Sequence, residues 1–182
     1  MKQFLLSTAA FVVLLLTQAS AQFSLFTSPP LNGGNGSNGV TFNIEASSSV
    51  FVDTIYVAAY GSAAANIELW YTTTAISGPP NIAAPAWSQL VTASVTPAQT
   101  GISGPFLFTP VVIPGGLLMN AGDHFGFYVG FASGASVAYS THTTTNQDVF
   151  TDGFVTIRTG PNVGYGGAIP SPAFHPRQFN DS

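Results

Sequence analysis

Val40-Thr41-Phe42-Asn43-Ile44-Glu45-Ala46 alternates apolar and polar side chains without a break. In an extended chain Val40, Phe42, Ile44 and Ala46 fall on one side. Thr41, Asn43 and Glu45 fall on the other, the period-two pattern of a half-buried strand. Phe125-Gly126-Phe127-Tyr128-Val129-Gly130-Phe131 repeats it with heavier apolar groups, and Gly126 and Gly130 leave little bulk on the opposite face. Two such stripes need a shared core, so the fold is decided here.

Working outward, other stretches behave in the same way. Residues 50–60 read as a long, more apolar strand. Residues 66–74 place Ile67, Leu69 and Tyr71 on one face and Glu68 and Trp70 on the other. Trp87, Gln89, Val91, Ala93 and Val95 define another alternating strand. Residues 105–113 are apolar on both faces and are bounded by Pro114-Gly115-Gly116. Residues 137–141 and 154–159 complete the series. Gly and Pro punctuate these runs and helix signals are nearly absent. About eight or nine strands without crossover helices predict antiparallel pairing. The expected fold is all-β: an antiparallel two-sheet β-sandwich, jelly-roll or immunoglobulin-like in order.

The chain opens with Lys2, an apolar run over residues 4–16 and then Ala19-Ser20-Ala21. A basic start, a short apolar core and an A-x-A-type site predict a signal peptide over residues 1–21. The run is shorter than the roughly 20 apolar residues of a membrane span. Residues 22–182 then form one secreted domain, placed extracellularly or at the cell surface, the periplasm included, without membrane insertion. With no Cys, thiol catalysis and cysteine-based zinc sites are excluded. Charged residues make up 5% of the chain, against about 25% in a typical domain. Beyond Lys2 only Arg158 and Arg177 are permanently positive, so neither phosphate neutralisation on nucleic acid nor docking to anionic lipid is supported.

Gly34-Asn35-Gly36-Ser37-Asn38-Gly39-Val40-Thr41-Phe42 and Phe174-His175-Pro176-Arg177-Gln178-Phe179-Asn180 together look familiar. They resemble the G-N-G-S-x-G opening and F-x-P-R-x-[FW]-N ending of a module of secreted and surface-exposed bacterial proteins. Ile113-Pro114-Gly115-Gly116, Phe125-Gly126-Phe127-Tyr128-Val129 and Trp87-Ser88-Gln89-Leu90 are similar to the passages between, so the resemblance spans residues 34–180. It implies an extracellular β-sandwich, often one unit of a larger surface protein, with no established catalytic activity. Here Asn180-Asp181-Ser182 ends the chain where the module continues, which predicts a short last strand or an open sheet edge.

Catalytic patterns are missing. The sequence has no G-x-S-x-G elbow, and His124, His142 and His175 lack metal-ligand spacing. The carboxylates Glu45, Asp53, Glu68, Asp123, Asp148, Asp152 and Asp181 are dispersed, whereas glycoside hydrolysis needs two across one cleft. Asp123 is explained by the turn Asn120-Ala121-Gly122-Asp123. No cofactor is expected. Calcium is the one metal with a ligand set, Asn146, Asp148 and Asp152 in a single loop, although a polar hairpin loop accounts for the same residues.

Two functions follow. The first is a structural or adhesive subunit that packs with copies of itself or with other surface proteins, since no lysine guards its sheet edges and sparse charge keeps copies poorly apart. Phe23, Leu25 and Phe26 in residues 22–30 form the expected assembly segment, set against a plain first strand of the same sheet. The second is polysaccharide binding on aromatic faces, with Glu68, Trp70, Trp87, Tyr139 and Tyr165 as candidates. Burial of both Trp in the core is the competing reading.

Overall fold

A computed structural model describes residues 24–25, 35–77, 86–102, 107–141, 148–159, 163–164, 172–174 and 177–179 of the 182-residue chain. Residues 1–21 lie outside these. The first half supplies β1 (Asn35–Ser37), β2 (Gly39–Ala46), β3 (Val50–Val57), β4 (Ala59–Tyr60), β5 (Ala65–Thr72), β6 (Ser88–Val95) and β7 (Thr109–Met119). The second half adds β8 (His124–Phe131), β9 (Ser136–Thr141), β10 (Asp148–Thr151), β11 (Val155–Thr159), β12 (Val163–Gly164), β13 (Pro172–Phe174) and β14 (Arg177–Phe179). Eight of these run five residues or longer, in line with the count the alternation predicts. No helix occurs among the described residues.

The protein is an all-β antiparallel sandwich. One layer has the order β10-β11-β2-β8-β5-β6, with β12 and β13 beside β2. The other contains the β3–β7 ladder and β9, which carries β1, β4 and β14. Ala138 N–H donates to Ala58 O at 2.7 Å, tying β9 to the residue between β3 and β4. Every strand pair among the described residues is antiparallel. The last strand, β14, is short and lies on β9, with Phe179 opposite Tyr139.

Register explains the core. Phe42 stands opposite Phe127, and their rings stack with centroids 5.4 Å apart at 10°. Phe125, Val129, Ile67 and Leu69 extend this stripe to meet Ile55, Val57, Val111, Ile113 and Met119 from the other layer. Full burial of each large side chain stabilises the fold by roughly 1.5–3 kcal/mol.

Three expectations are corrected. First, β2 is covered on both faces: Thr41 is 1% exposed and Asn43 2%, so only Glu45 on the polar side keeps appreciable exposure. Second, residues 114–116 do not end a strand. β7 continues to Met119 through a wide bulge, with Val52 opposite Leu117 and Thr54 already opposite Val112. Gly115 and Gly116 sit at φ 81° and 68°, a backbone region costly for other residues, and so absorb the extra length. Third, the alternation of residues 87–95 slips once. Leu69 faces Val91 and Trp70 faces Gln89, so Leu90 is the inserted residue and packs on the core.

Candidate interaction surface

The β3–β7 ladder has no third strand among the described residues, and its outward face is apolar. Phe51 stands opposite Leu118, Thr54 opposite Val112 and Tyr56 opposite Pro110. The inward set of the same strands, including Ile55, Val57, Val111 and Met119, is buried in the core. The outward set is not: Phe51 is 69% exposed, Val112 61% and Leu118 46%. Several exposed large apolar groups on one ladder make this face a candidate contact surface, whereas isolated apolar groups need no explanation. Asp53 is the only charged residue in either strand, and it sits at the register break. In sequence, residues 50–60 read as a longer, more apolar strand and residues 105–113 as apolar on both faces, which marks the strands without showing which side is exposed.

The β7 edge of the ladder is blunted without lysine. Pro110 and Pro114 cannot donate a backbone hydrogen bond, and the Gly115–Gly116 bulge breaks the register a docking strand would follow. The shortage of lysine therefore does not leave β7 as a ready template for strand addition.

The predicted assembly segment is only partly described: Phe23 and Phe26 lie outside the described residues. Leu25 packs against the chain's own core, as a first strand or inward-folded segment would.

Among the predicted saccharide contacts, Tyr165 lies outside the described residues. Tyr139 is 3% exposed and belongs to the core, because alternation along β9 turns it inward with Val137. Trp87 is half-buried just before β6. Glu68 and Trp70 do share the outward face of β5, where indole Nε1–H donates to Glu68 Oε2 at 3.0 Å. Both are half-buried, and the indole donor is already engaged. Opposite Trp70, Tyr128 is almost fully buried, its phenol lying over the backbone of Gly39 and Gly130 where any Cβ would collide. Burial, and then the Glu68 charge, push the Tyr128 phenol above its ordinary range. Aromatic and acid are thus integrated into the sheet surface and do not stand free of it.

Of the calcium set, Asn146 lies outside the described residues, Asp148 opens β10 and Asp152 follows its last residue. Asp152 closes the β10–β11 turn, Oδ1 accepting from Phe154 N–H at 2.8 Å and Val155 N–H at 2.9 Å.

Other carboxylates are similarly committed. Asp123 accepts from Asn120 N–H at 2.7 Å in the anticipated turn. Glu45 takes a two-pronged contact from Arg158, Nε to Oε1 at 2.6 Å and Nη2 to Oε2 at 3.0 Å, with His124 Nδ1 3.4 Å from Oε1. The hydrogen bonds from Arg158 hold the Glu45 carboxyl below its usual range against the opposing effect of burial.

No protein-family model matches the chain, and neither a curated protein nor a solved structure is detectably similar to it.

Proposed function

We propose that this chain is a secreted, non-catalytic structural or adhesive surface protein, and that its copies associate through the outward face of β3–β7. The observation carrying the reading is the Phe51–Leu118 pair, continued by Val112 and Tyr56 on one exposed face. A second copy is the favoured partner because sparse charge provides little repulsion between identical molecules. The non-catalytic part is supported by the structural employment of Glu45, Asp123 and Asp152. The extracellular placement rests on the signal-peptide pattern and on the resemblance carried by the Gly34–Phe42 and Phe174–Asn180 motifs.

The test is sedimentation velocity over a concentration series, comparing the wild-type protein with the double variant Phe51→Ser, Leu118→Ser. Concentration-dependent association in the wild type, lost in the variant, is the expected result. A wild type that stays monomeric, or a variant that associates equally, overturns the assignment.

A further inference from the structure

We infer that the loop end of the sandwich carries a second site, which binds a neutral saccharide and does not depend on the apolar face. Three chain passages between the layers converge there. Ser37 pairs with Val137 in one sheet while Gly39 pairs with Gly130 in the other, so Asn38 is the residue at which β1 changes layer to become β2. Tyr60 pairs with Ser136 at the end of β4, and the chain then crosses to β5 through Ser62. Between Phe131 and Ser136 the chain returns from β8 to β9. These passages, with Thr100 beside them, border an open, shallow hollow of about 390 Å³ lined by Asn38, Tyr60, Ser62, Thr100 and Ser136.

The lining chemistry selects the ligand. Among the described residues no Asp, Glu, Lys, Arg or His contributes, so a charged ligand would lose its hydration without gaining a counter-charge from them. Among the same residues Ala135 and the Tyr60 ring are the only apolar side chains, which is too little for a lipid. What remains is three hydroxyls, one amide and one phenol. Hydroxyls donate and accept alike, and so match a ligand made of hydroxyls. The Asn38, Ser62, Thr100 and Ser136 side chains have no hydrogen-bond partner among the described residues.

The frame around these groups is fixed. Phe131 N–H donates to Asn38 O at 2.6 Å, and Gly61 N–H donates to Gln99 O at 3.0 Å. The Gln99 side chain braces its own loop, Nε2 donating to Gly101 O at 2.6 Å and Oε1 accepting from Leu107 N–H at 2.8 Å. The Tyr60 ring rests on Gly36, where a methyl group would occupy the phenol's place. A backbone frame that is fixed before binding reduces the ordering cost of association, leaving only the lining side chains to be ordered.

The experiment is a two-dimensional amide NMR titration of the full chain with maltose, cellobiose, lactose and N,N′-diacetylchitobiose, and with glucuronic acid as the charged control. Saturable shifts of Asn38, Ser62, Thr100 and Ser136 with at least one neutral disaccharide, and none with glucuronic acid, are expected. Ser62→Leu and Thr100→Leu change exposed residues, so the fold is retained, and they fill the hollow. Each should weaken binding at least about tenfold, or about 1.4 kcal/mol. Absence of shifts for all four disaccharides, shifts centred on Trp70, or unchanged affinity in both variants would overturn the site. The monomer–oligomer balance is a separate readout, so loss of this site leaves the apolar-face assignment untouched.

Discussion

Asn43 and Ile76 hold each other by two hydrogen bonds across the outer face of β2: Nδ2 donates to Ile76 O at 3.0 Å, and Ile76 N–H donates to Asn43 Oδ1 at 2.7 Å. A side-chain amide here does the work of a neighbouring strand, pinning the segment after β5 over the sheet. Gly126, on the adjacent strand, makes room, since a methyl group there would lie 2.5 Å from Ile76 Cγ1. Asn43→Ala would remove both hydrogen bonds to Ile76. It should therefore cost about 1–3 kcal/mol, taking roughly 0.5–1.5 kcal/mol per hydrogen bond. Urea denaturation of the variant checks this; a loss below about 0.5 kcal/mol, the level of an ordinary surface change, would contradict it.

This contact also shows where sequence reading stops. The alternation of residues 40–46 placed Val40, Phe42, Ile44 and Ala46 inward correctly, because the period-two pattern is set by strand geometry alone. It could not show that Asn43 is also covered, since its cover comes from a segment 33 residues away that packs against Gly126. Bulges were equally hidden: one inserted residue at Leu90 reverses the inside–outside assignment of everything before it. The loop-end hydroxyls were invisible for a different reason. Asn38, Ser62, Thr100 and Ser136 are each an ordinary turn residue in sequence, and only the topology brings them to one place.

Thr159 gives a prediction of opposite sign. It is fully buried on the inward side of β11, and its Oγ1 has no hydrogen-bond partner among the described residues. Thr159→Val keeps the shape and removes the buried hydroxyl, so it should stabilise the protein by about 1 kcal/mol. For a domain of this size the thermal midpoint should rise by about 2–4 °C. A midpoint that falls in differential scanning calorimetry would mean the hydroxyl has a partner in solution.

The apolar face predicts independence of association from stability. Phe51 and Leu118 are largely exposed, so replacing either with Ser should leave the unfolding free energy within about 0.5 kcal/mol of wild type. If chemical denaturation showed a loss of several kcal/mol, these side chains would belong to the fold, and reduced association could not be assigned to a contact surface.

The Glu45–Arg158 pair predicts a defined pH dependence. Glu45 is 22% exposed and Arg158 35%, so solvent screening limits the pair to about 1 kcal/mol at neutral pH despite its two-pronged geometry. The folded-state pKa of Glu45 is lowered, with the Arg158 hydrogen bonds as the largest cause. Its contribution is therefore fully present above the unfolded carboxylate value, about 4.3, and is lost as pH falls through the lower folded value. Glu45→Gln removes the charge that titrates. Wild type and variant should thus differ by about 1 kcal/mol at pH 7 and converge as the carboxylate is protonated. Urea midpoints measured from pH 7 down to about pH 2 decide the matter, because a gap that stays constant would assign the loss to packing and not to the ion pair.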